Sequence, residues 1–331
     1  MKRILVTGGA GYIGSHTVVE LLNKGHEVVI VDNFSNSRFE IINRISEITG
    51  KELITVNCDC RDDLSDIFTN HKIDSVIHFA ALKAVGESVE KPLTYYKNNI
   101  DSLINVLETS EKFDVKSFVF SSSCSLYGNL SELPAKEDSP MSDPESPYAY
   151  TKLVGERILK DFSKISDMKI ISLRYFNPVG AHQSGLIGES PLNKPNNIIP
   201  VICDSIESDT TMNVFGGDYP TRDGTCIRDY IHVSDISDAH VLAFEHSLET
   251  NKNYDVFNLG SGWGISVLEI LDSFEKENRL KINYKIVERR EGDVVEIYSD
   301  SSKVRNILNW SPTRTVKDMV TSAWKWHKNK F

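Results

Sequence analysis

The chain predicts an α/β fold: a Rossmann-type doubly wound parallel sheet followed by a smaller C-terminal α/β domain. Three observations predict it. Short β-branched runs alternate with helical stretches over about the first 175 residues, the runs are near-continuously apolar as in strands buried on both faces, and the first opens into a glycine-rich turn. At 331 residues the chain exceeds what one core of roughly 100 to 200 residues organises, so two lobes sharing a cleft are expected. The boundary is placed at 1–177 and 178–331, with segments of the second part free to return to the first.

The strands are read at Ile4 to Thr7, Val28 to Asp32, Leu53 to Asn57, Ser75 to Ala80, Phe118 to Ser121 and Ile170 to Tyr175. Gly25 closes the first helix and Pro92 sits where an amphipathic helix over Leu93 to Glu111 begins. A further helix spans 147 to 163. From Pro178 to Asn197 the chain is rich in Gly, Pro and Asn, which is loop chemistry. Beyond it lie a strand near Val214, a long loop, a helix from about Asp235, an isolated strand near Val256, and amphipathic segments at Val267 to Glu277 and Val316 to His327.

Lys plus Arg against Asp plus Glu is 37 − 47 = −10, which argues against a nucleic-acid surface. Anionic ligands must therefore be held locally. No run of about 18 apolar residues and no signal-peptide pattern occurs, so a soluble cytoplasmic protein with no membrane partner is expected. Five cysteines, Cys58, Cys60, Cys124, Cys203 and Cys226, lack paired-motif spacing and read as reduced thiols; no metal site is expected.

The strand Ile4 to Thr7 runs into Gly8-Gly9-Ala10-Gly11-Tyr12-Ile13-Gly14 and then a helix, the setting in which backbone N–H groups and a helix N-terminus cradle a dinucleotide pyrophosphate. Glycine registers 9/11/14 and 8/11/14 both fit. The second strand ends at Asp32, whose carboxylate can accept from both ribose hydroxyls and repels a 2′-phosphate, pointing to NAD rather than NADP; the nearby Arg38 is the counter-signal. Asp59 at the third strand end, and Phe79, Ala80 and Lys83 beyond the fourth, are cofactor candidates by position alone.

Tyr148 and Lys152 form a Tyr-x-x-x-Lys pair sharing one helix face. An ammonium beside a phenol of ordinary pKa about 10 favours the phenolate, so Tyr148 is the candidate base for a sugar or alcohol hydroxyl. Tyr150 points about 200° away from Tyr148 and fails the same-face test. Ser121-Ser122-Ser123 ends the fifth strand at the carboxyl edge, and Ser123 is chosen to orient the reacting hydroxyl, although strand-end capping fits a serine run as well.

With these residues the chain resembles the extended short-chain dehydrogenase/reductases. Leu82-Lys83-Ala84-Val85-Gly86-Glu87-Ser88, Arg174-Tyr175-Phe176-Asn177-Pro178-Val179-Gly180-Ala181, Arg228-Asp229-Tyr230-Ile231-His232-Val233 and Arg289-Arg290-Glu291-Gly292-Asp293 narrow the resemblance to the UDP-glucose (UDP-galactose) 4-epimerases over nearly the whole length. The resemblance implies an NAD-dependent isomerase that oxidises a UDP-hexose at C4, turns the 4-keto sugar over and reduces its other face. It implies that Ser123 binds the 4-oxygen, Tyr148 is the base and Lys152 contacts the nicotinamide ribose. Gly8, Gly11, Tyr12, Ile13, Gly14, Asp32, Asn33, Asn36, Ser37, Asp59, Lys83, Asn98 and Phe176 are implied to line the cofactor. Asn177, Asn197, Phe215, Arg228, Arg290 and Asp293 are implied to hold the UDP-sugar, with Lys83, Ser123 and Tyr148 also at the substrate. A homodimer through the helices at 93–111 and 147–163 is implied too.

Where the resemblance places a bulky tyrosine near the sugar 2-position, this chain has Ile297, which leaves open whether UDP-GlcNAc and UDP-GalNAc fit beside UDP-glucose and UDP-galactose. A nucleotide-sugar 4,6-dehydratase would need carboxylates after the strand end, where this chain reads Ser123-Cys124-Ser125. A UDP-glucuronate 4-epimerase would share the loop, the triad and the diphosphate contacts, and would need a further cation for the sugar carboxylate. A non-enzymatic NAD-sensing scaffold would bind the dinucleotide without turnover and would have no need of Tyr148 or Lys152.

Overall fold

The computed structural model describes residues 1–141, 144–192, 195–290 and 292–331; Glu291 of the arginine-rich string lies outside the described residues. The first part runs β1 (Arg3–Thr7), α1 (Tyr12–Asn23), β2 (Glu27–Asp32), α2 (Glu40–Thr49), β3 (Ile54–Asn57), α3 (Ser65–His71), β4 (Ser75–His78), α4 (Val85–Glu90), α5 (Pro92–Lys112), β5 (Ser117–Ser123), α6 (Pro147–Phe162) and β6 (Lys169–Tyr175). The second runs β7 (Asn177–Val179), α7 (Ile198–Glu207), β8 (Met212–Phe215), β9 (Ile227–His232), α8 (Val233–Ser247), β10 (Tyr254–Leu259), β11 (Gly264–Ser266), α9 (Val267–Asn278), β12 (Tyr284–Val287), β13 (Glu296–Ile297), α10 (Ser302–Leu308) and α11 (Val316–Asn329).

The main sheet has seven strands in the order β10-β6-β5-β4-β1-β2-β3, all parallel. It is a Rossmann-type doubly wound α/β sheet. The strand order reverses between β1 and β4, so the loops after Thr7 and His78 flank the crevice in which such sheets bind ligands. One core packs α1, α2 and α8 onto one face of the sheet; the other face carries α5 and α6 through Leu103, Val106, Leu107 and Leu159. A third core, from Val179 through Ile202, Val214, Phe274 and Val320, joins α7, α9 and α11 to the smaller sheets.

Three expectations are corrected. The strand near Val256 is not isolated: β10 pairs in parallel with β6, from Tyr254 against Ile170 to Leu259 against Tyr175, and completes the main sheet. The long loop expected before Asp235 contains β9, the centre of a sheet with β11, β13 and β7. Arg228 and Asp229 hid it by interrupting its apolar run; Asp229 is fully buried because Ser261, Gly262 and Ser299 donate to its carboxylate. Lastly, β3 is an edge strand with Ile54 exposed rather than a strand buried on both faces.

Helix boundaries follow local chemistry. Gly25, at φ +83°, ends the turn after α1, and Pro92 starts α5. Capping boxes start α9 (Ser266 with Glu269) and α11 (Thr315 with Asp318). No described helix is long and apolar enough to cross a membrane.

Candidate active site

The glycine loop decides between the two registers. Both leading glycines are closely packed, a Cβ on Gly8 meeting the Ala80 backbone N at 2.9 Å and one on Gly9 meeting Ile30 Cγ2 at 2.9 Å, but only Gly8, at φ +67°, holds a left-handed backbone that favours glycine. A Cβ on Gly14 would stand 2.2 Å from the Gly8 carbonyl oxygen, so α1 must be glycine there to abut the loop. The register is therefore 8/11/14. Gly11 caps α1 without a side-chain acceptor, leaving the helix N–H groups to a ligand. The loop is a cradle fitted to the pyrophosphate of NAD.

At the adenosine end, Asp32 is buried and its carboxylate accepts from Ala10 N at 3.0 Å, Phe34 N at 2.9 Å and Ser37 Oγ at 2.8 Å. Three of about four acceptor positions are thus filled. The protein's own donors orient the carboxylate at the end of β2. Arg38, the counter-signal for NADP, is drawn away over the Phe331 ring, 5.0 Å from its centroid. Asn33 donates to Asp59 at 2.9 Å, and Arg61 grips the same carboxylate with two bonds of 2.8 Å, holding its pKa far below the usual range. Asn36 is exposed beside them, and Ile13 packs on the core below the loop.

Phe79 and Ala80 follow β4 at the switch point; Phe79 packs against His240 with ring centroids 4.7 Å apart. Tyr12 donates to the Gly180 carbonyl at 2.6 Å, tying the glycine loop to the second part of the chain. Lys83 and Asn197, distant in sequence, meet on one carboxylate that the sequence pattern did not single out: Glu189 accepts from Lys83 Nζ at 2.9 Å and from Asn197 Nδ2 at 2.6 Å. Asn98 donates to its neighbour Asn99, and it is Asn99 that grips Leu82 and Thr151.

Pro147 and the Ser146 cap, which accepts from Ala149 N at 3.2 Å, start α6 so that Tyr148 faces the end of β5. Ser123 bears on the Tyr148 phenol from the end of β5, while its own hydroxyl accepts from Ser125 N at 3.1 Å, so the capping role that a serine run allows is also filled. Tyr150 is exposed and meets Tyr96 edge-on at 6.1 Å, on the outer face, as helical geometry requires. Lys152 is 4 % exposed; its Nζ donates to the Ser121 carbonyl at 2.6 Å and lies 6.0 Å from the Tyr148 ring centroid.

The pKa pattern departs from the sequence expectation. Burial pushes the Tyr148 phenol up to about 12, with the Ser123 bond pulling the other way, and burial lowers Lys152 to about 7 against the opposing charge of Glu156. The Lys152 proton is directed at a carbonyl, not at the phenol. Protein geometry alone does not favour the phenolate, because desolvation outweighs a cation that is turned aside.

On the substrate side, Phe215, Arg228, Arg290 and Asp293 come together. Asp293 accepts from Arg290 at 2.7 Å and pairs with Arg228 at 3.5 Å, while Arg290 lies 5.6 Å over the Phe215 ring. Two forked cations against one carboxylate leave a local excess of one positive charge on a chain of net −10. Beside Arg228 on the ladder sits Ile297, buried in a cluster with Leu126, Tyr127, Ala135 and Phe176, against which Cys124 packs. Asn177 begins β7 opposite Tyr230 on the same sheet. All five cysteines are free. One three-residue group with metal-ligand atoms occurs among the described residues, Asp204, Glu207 and His327, and the Lys330 ammonium sits among them at 3.2 to 3.4 Å.

Comparison with known proteins matches residues 5–323 to the family model described as GDP-mannose 4,6 dehydratase. UDP-glucose 4-epimerase of Bacillus subtilis is 46% identical over 330 residues, spanning 98% of this chain and 97% of that protein. The crystal structure of UDP-glucose-4-epimerase from Stenotrophomonas maltophila, with bound NAD and formylated UDP-arabinopyranose, superposes with TM-score 0.96 at 44% identity, covering 99% of this chain and 98% of that one. The Bifidobacterium longum enzyme in complex with NAD+ and UDP gives TM-score 0.95 at 44% identity with the same coverage. Matched end to end by these enzymes, and carrying Cys124 and Ser125 where a dehydration would need carboxylates, the chain belongs to the UDP-glucose 4-epimerase family.

Proposed function

We propose that the protein is an NAD-dependent isomerase that interconverts UDP-glucose and UDP-galactose through a 4-keto sugar. The observation that carries this reading is the junction of β5 and α6, where Ser123, Tyr148 and Lys152 converge beyond the glycine loop. Tyr148 takes the proton of the 4-hydroxyl, and Ser123 orients the 4-oxygen. NAD, when bound, supplies the acceptor that takes and returns the C4 hydride together with a positive ring charge. Tyr148 gives the proton back once the sugar presents its other face, so the net change is isomerisation. Arg228 and Arg290 hold the diphosphate with forked donors, Phe215 and Asn197 border the nucleotide, and Asn177 faces the sugar. Burial of Tyr148 at a pKa near 12 matches a base that is charged only when a cation joins it in the closed site.

The same reading takes 1–177 as the NAD-binding part and 178–331 as mainly the UDP-sugar part. Ile297 walls the sugar pocket with a smaller side chain than tyrosine, which admits UDP-GlcNAc and UDP-GalNAc as candidate substrates. Leu93, Ile104 and Tyr150, exposed on the packed pair α5 and α6, supply the contact of a homodimer. Five unpaired thiols agree with a reducing cytoplasm. Incubating purified protein with UDP-galactose should yield UDP-glucose, and Tyr148→Phe should lower kcat by about 10²- to 10⁴-fold. Near-full activity in that variant would refute Tyr148 as the base.

A further inference from the structure

Three consecutive serines at the end of β5 each engage a different group of α6. The Ser121 carbonyl accepts from Lys152, the Ser122 hydroxyl donates to Glu156, and Ser123 bears on the Tyr148 phenol. Glu156 lies one helical turn beyond Lys152 on the same face, as Lys152 lies one turn beyond Tyr148. Its carboxylate is 6 % exposed and is gripped by Arg174, through Nε at 2.8 Å and Nη2 at 2.6 Å. Arg174 stands opposite Ser122 in the β5–β6 ladder and also donates to the Tyr127 hydroxyl at 2.7 Å, which donates in turn to Asn258 on β10. The carboxylate is thereby fixed from β5 and β6, and Arg174 is itself held through Tyr127 to β10.

We propose that Glu156 is a positioning residue for the oxidation at C4: it locks the catalytic face of α6 in register with the serine run and offsets the charge of the Lys152 ammonium. The inference rests on the epimerase reading of Tyr148 and Lys152. Other groups facing Lys152 do not offset its charge. His78 of β4 is buried and neutral, with its pKa lowered to about 3; Tyr148 and Tyr175 carry phenols raised by burial; Phe120 offers only its ring, 4.9 Å away. Arg174 is a cation paired with Glu156, so it brings no negative charge to Lys152; Glu156 is the charged group that acts on Lys152. Among the influences on Lys152, burial lowers its pKa to about 7 and Glu156 opposes it. Without the carboxylate, Lys152 loses its proton at lower pH.

The test is the pH profile of kcat for UDP-galactose conversion, between about pH 6 and 10, in wild type, Glu156→Gln, Glu156→Asp and the double variant Glu156→Gln with Arg174→Gln. In Glu156→Gln the alkaline limb should move down by about one unit, a tenfold further loss on the alkaline side, with KM changed little. Glu156→Asp, which keeps the charge, should return the limb toward wild type. The double variant removes the unpaired guanidinium, so it reports the limb even if the single variant misfolds. A uniform loss across pH in both glutamine variants, or an unshifted limb, would overturn the inference while Tyr148→Phe still upheld the epimerase reading. An inactive wild-type enzyme would overturn both.

Discussion

Gly14→Ala tests the cofactor cradle through one methyl group. The new Cβ would lie 2.2 Å from the Gly8 carbonyl oxygen and 3.0 Å from the Gly8 carbon and the Gly9 Cα, all backbone atoms that no rotamer change can move aside. Reaching ordinary contact means a retreat of about 1 Å. The loop resists it, since Gly8 N donates to the Val31 carbonyl at 2.7 Å and Gly11 N to the Gly8 carbonyl at 3.0 Å. Overpacking of this kind costs roughly 1–3 kcal/mol, against which alanine returns about 1 kcal/mol of helix propensity in α1. Net destabilisation of about 0–2 kcal/mol follows if the helix shifts as a unit. NAD binding should suffer more, because a displacement of about 1 Å can cost on the order of 10²-fold in a positioned site. Calorimetric titration should show NAD Kd raised about 10- to 100-fold, with Tm equal to or below that of wild type. A Kd within about twofold of wild type would refute the reasoning.

Arg228→Gln should weaken UDP binding by about 10- to 100-fold, the worth of roughly 1.5–3 kcal/mol for a charged hydrogen bond, and the remaining affinity should depend less on salt; titration with UDP at two salt concentrations reads both. Acid should destabilise the fold. Burial lowers His16 and His78 to about 3 and His232 and His240 to about 4, from 6.5 in the unfolded chain. The unfolded state therefore binds protons first, and each histidine removes about 1.4 kcal/mol per pH unit as pH falls from about 6.5 toward its folded value; urea midpoints at pH 7.5, 6 and 5 that do not decline would contradict this. Thr315→Ala removes the hydroxyl that caps α11 and should cost about 1 kcal/mol with epimerase activity unchanged, read by denaturant unfolding and by turnover; a loss of activity in the folded variant would refute a purely structural cap.

Contacts within a few residues were legible. The glycine loop needs only a strand before it and a helix after it, and the Tyr148–Lys152 face needs only helical spacing. Tyr150 was separated from Tyr148 on the same ground, and its exposure bears this out. Contacts that join distant segments were not legible from periodicity. Glu189 reaches Lys83 across 106 positions, and Arg174 reaches Glu156 through strand pairing, with no local pattern announcing either. β9 was hidden because its charged residues are satisfied by loops far along the chain, and β10 because an open parallel sheet accepts an edge strand from any later segment that an α-helix can return.

By itself the sequence determined the sheet class, the dinucleotide loop and the shared helix face of Tyr148 and Lys152, because each is set by spacing along a strand or one helical turn, while Ser123 stayed open between orienting a hydroxyl and capping the strand end. Only the tertiary structure decided which glycine register is used, how Asp32 is already partnered, and that Lys152 aims at Ser121 while Tyr148 is held uncharged. The physical reason is that charge states depend on desolvation and on partners brought from other strands, quantities that have no value until the chain is packed.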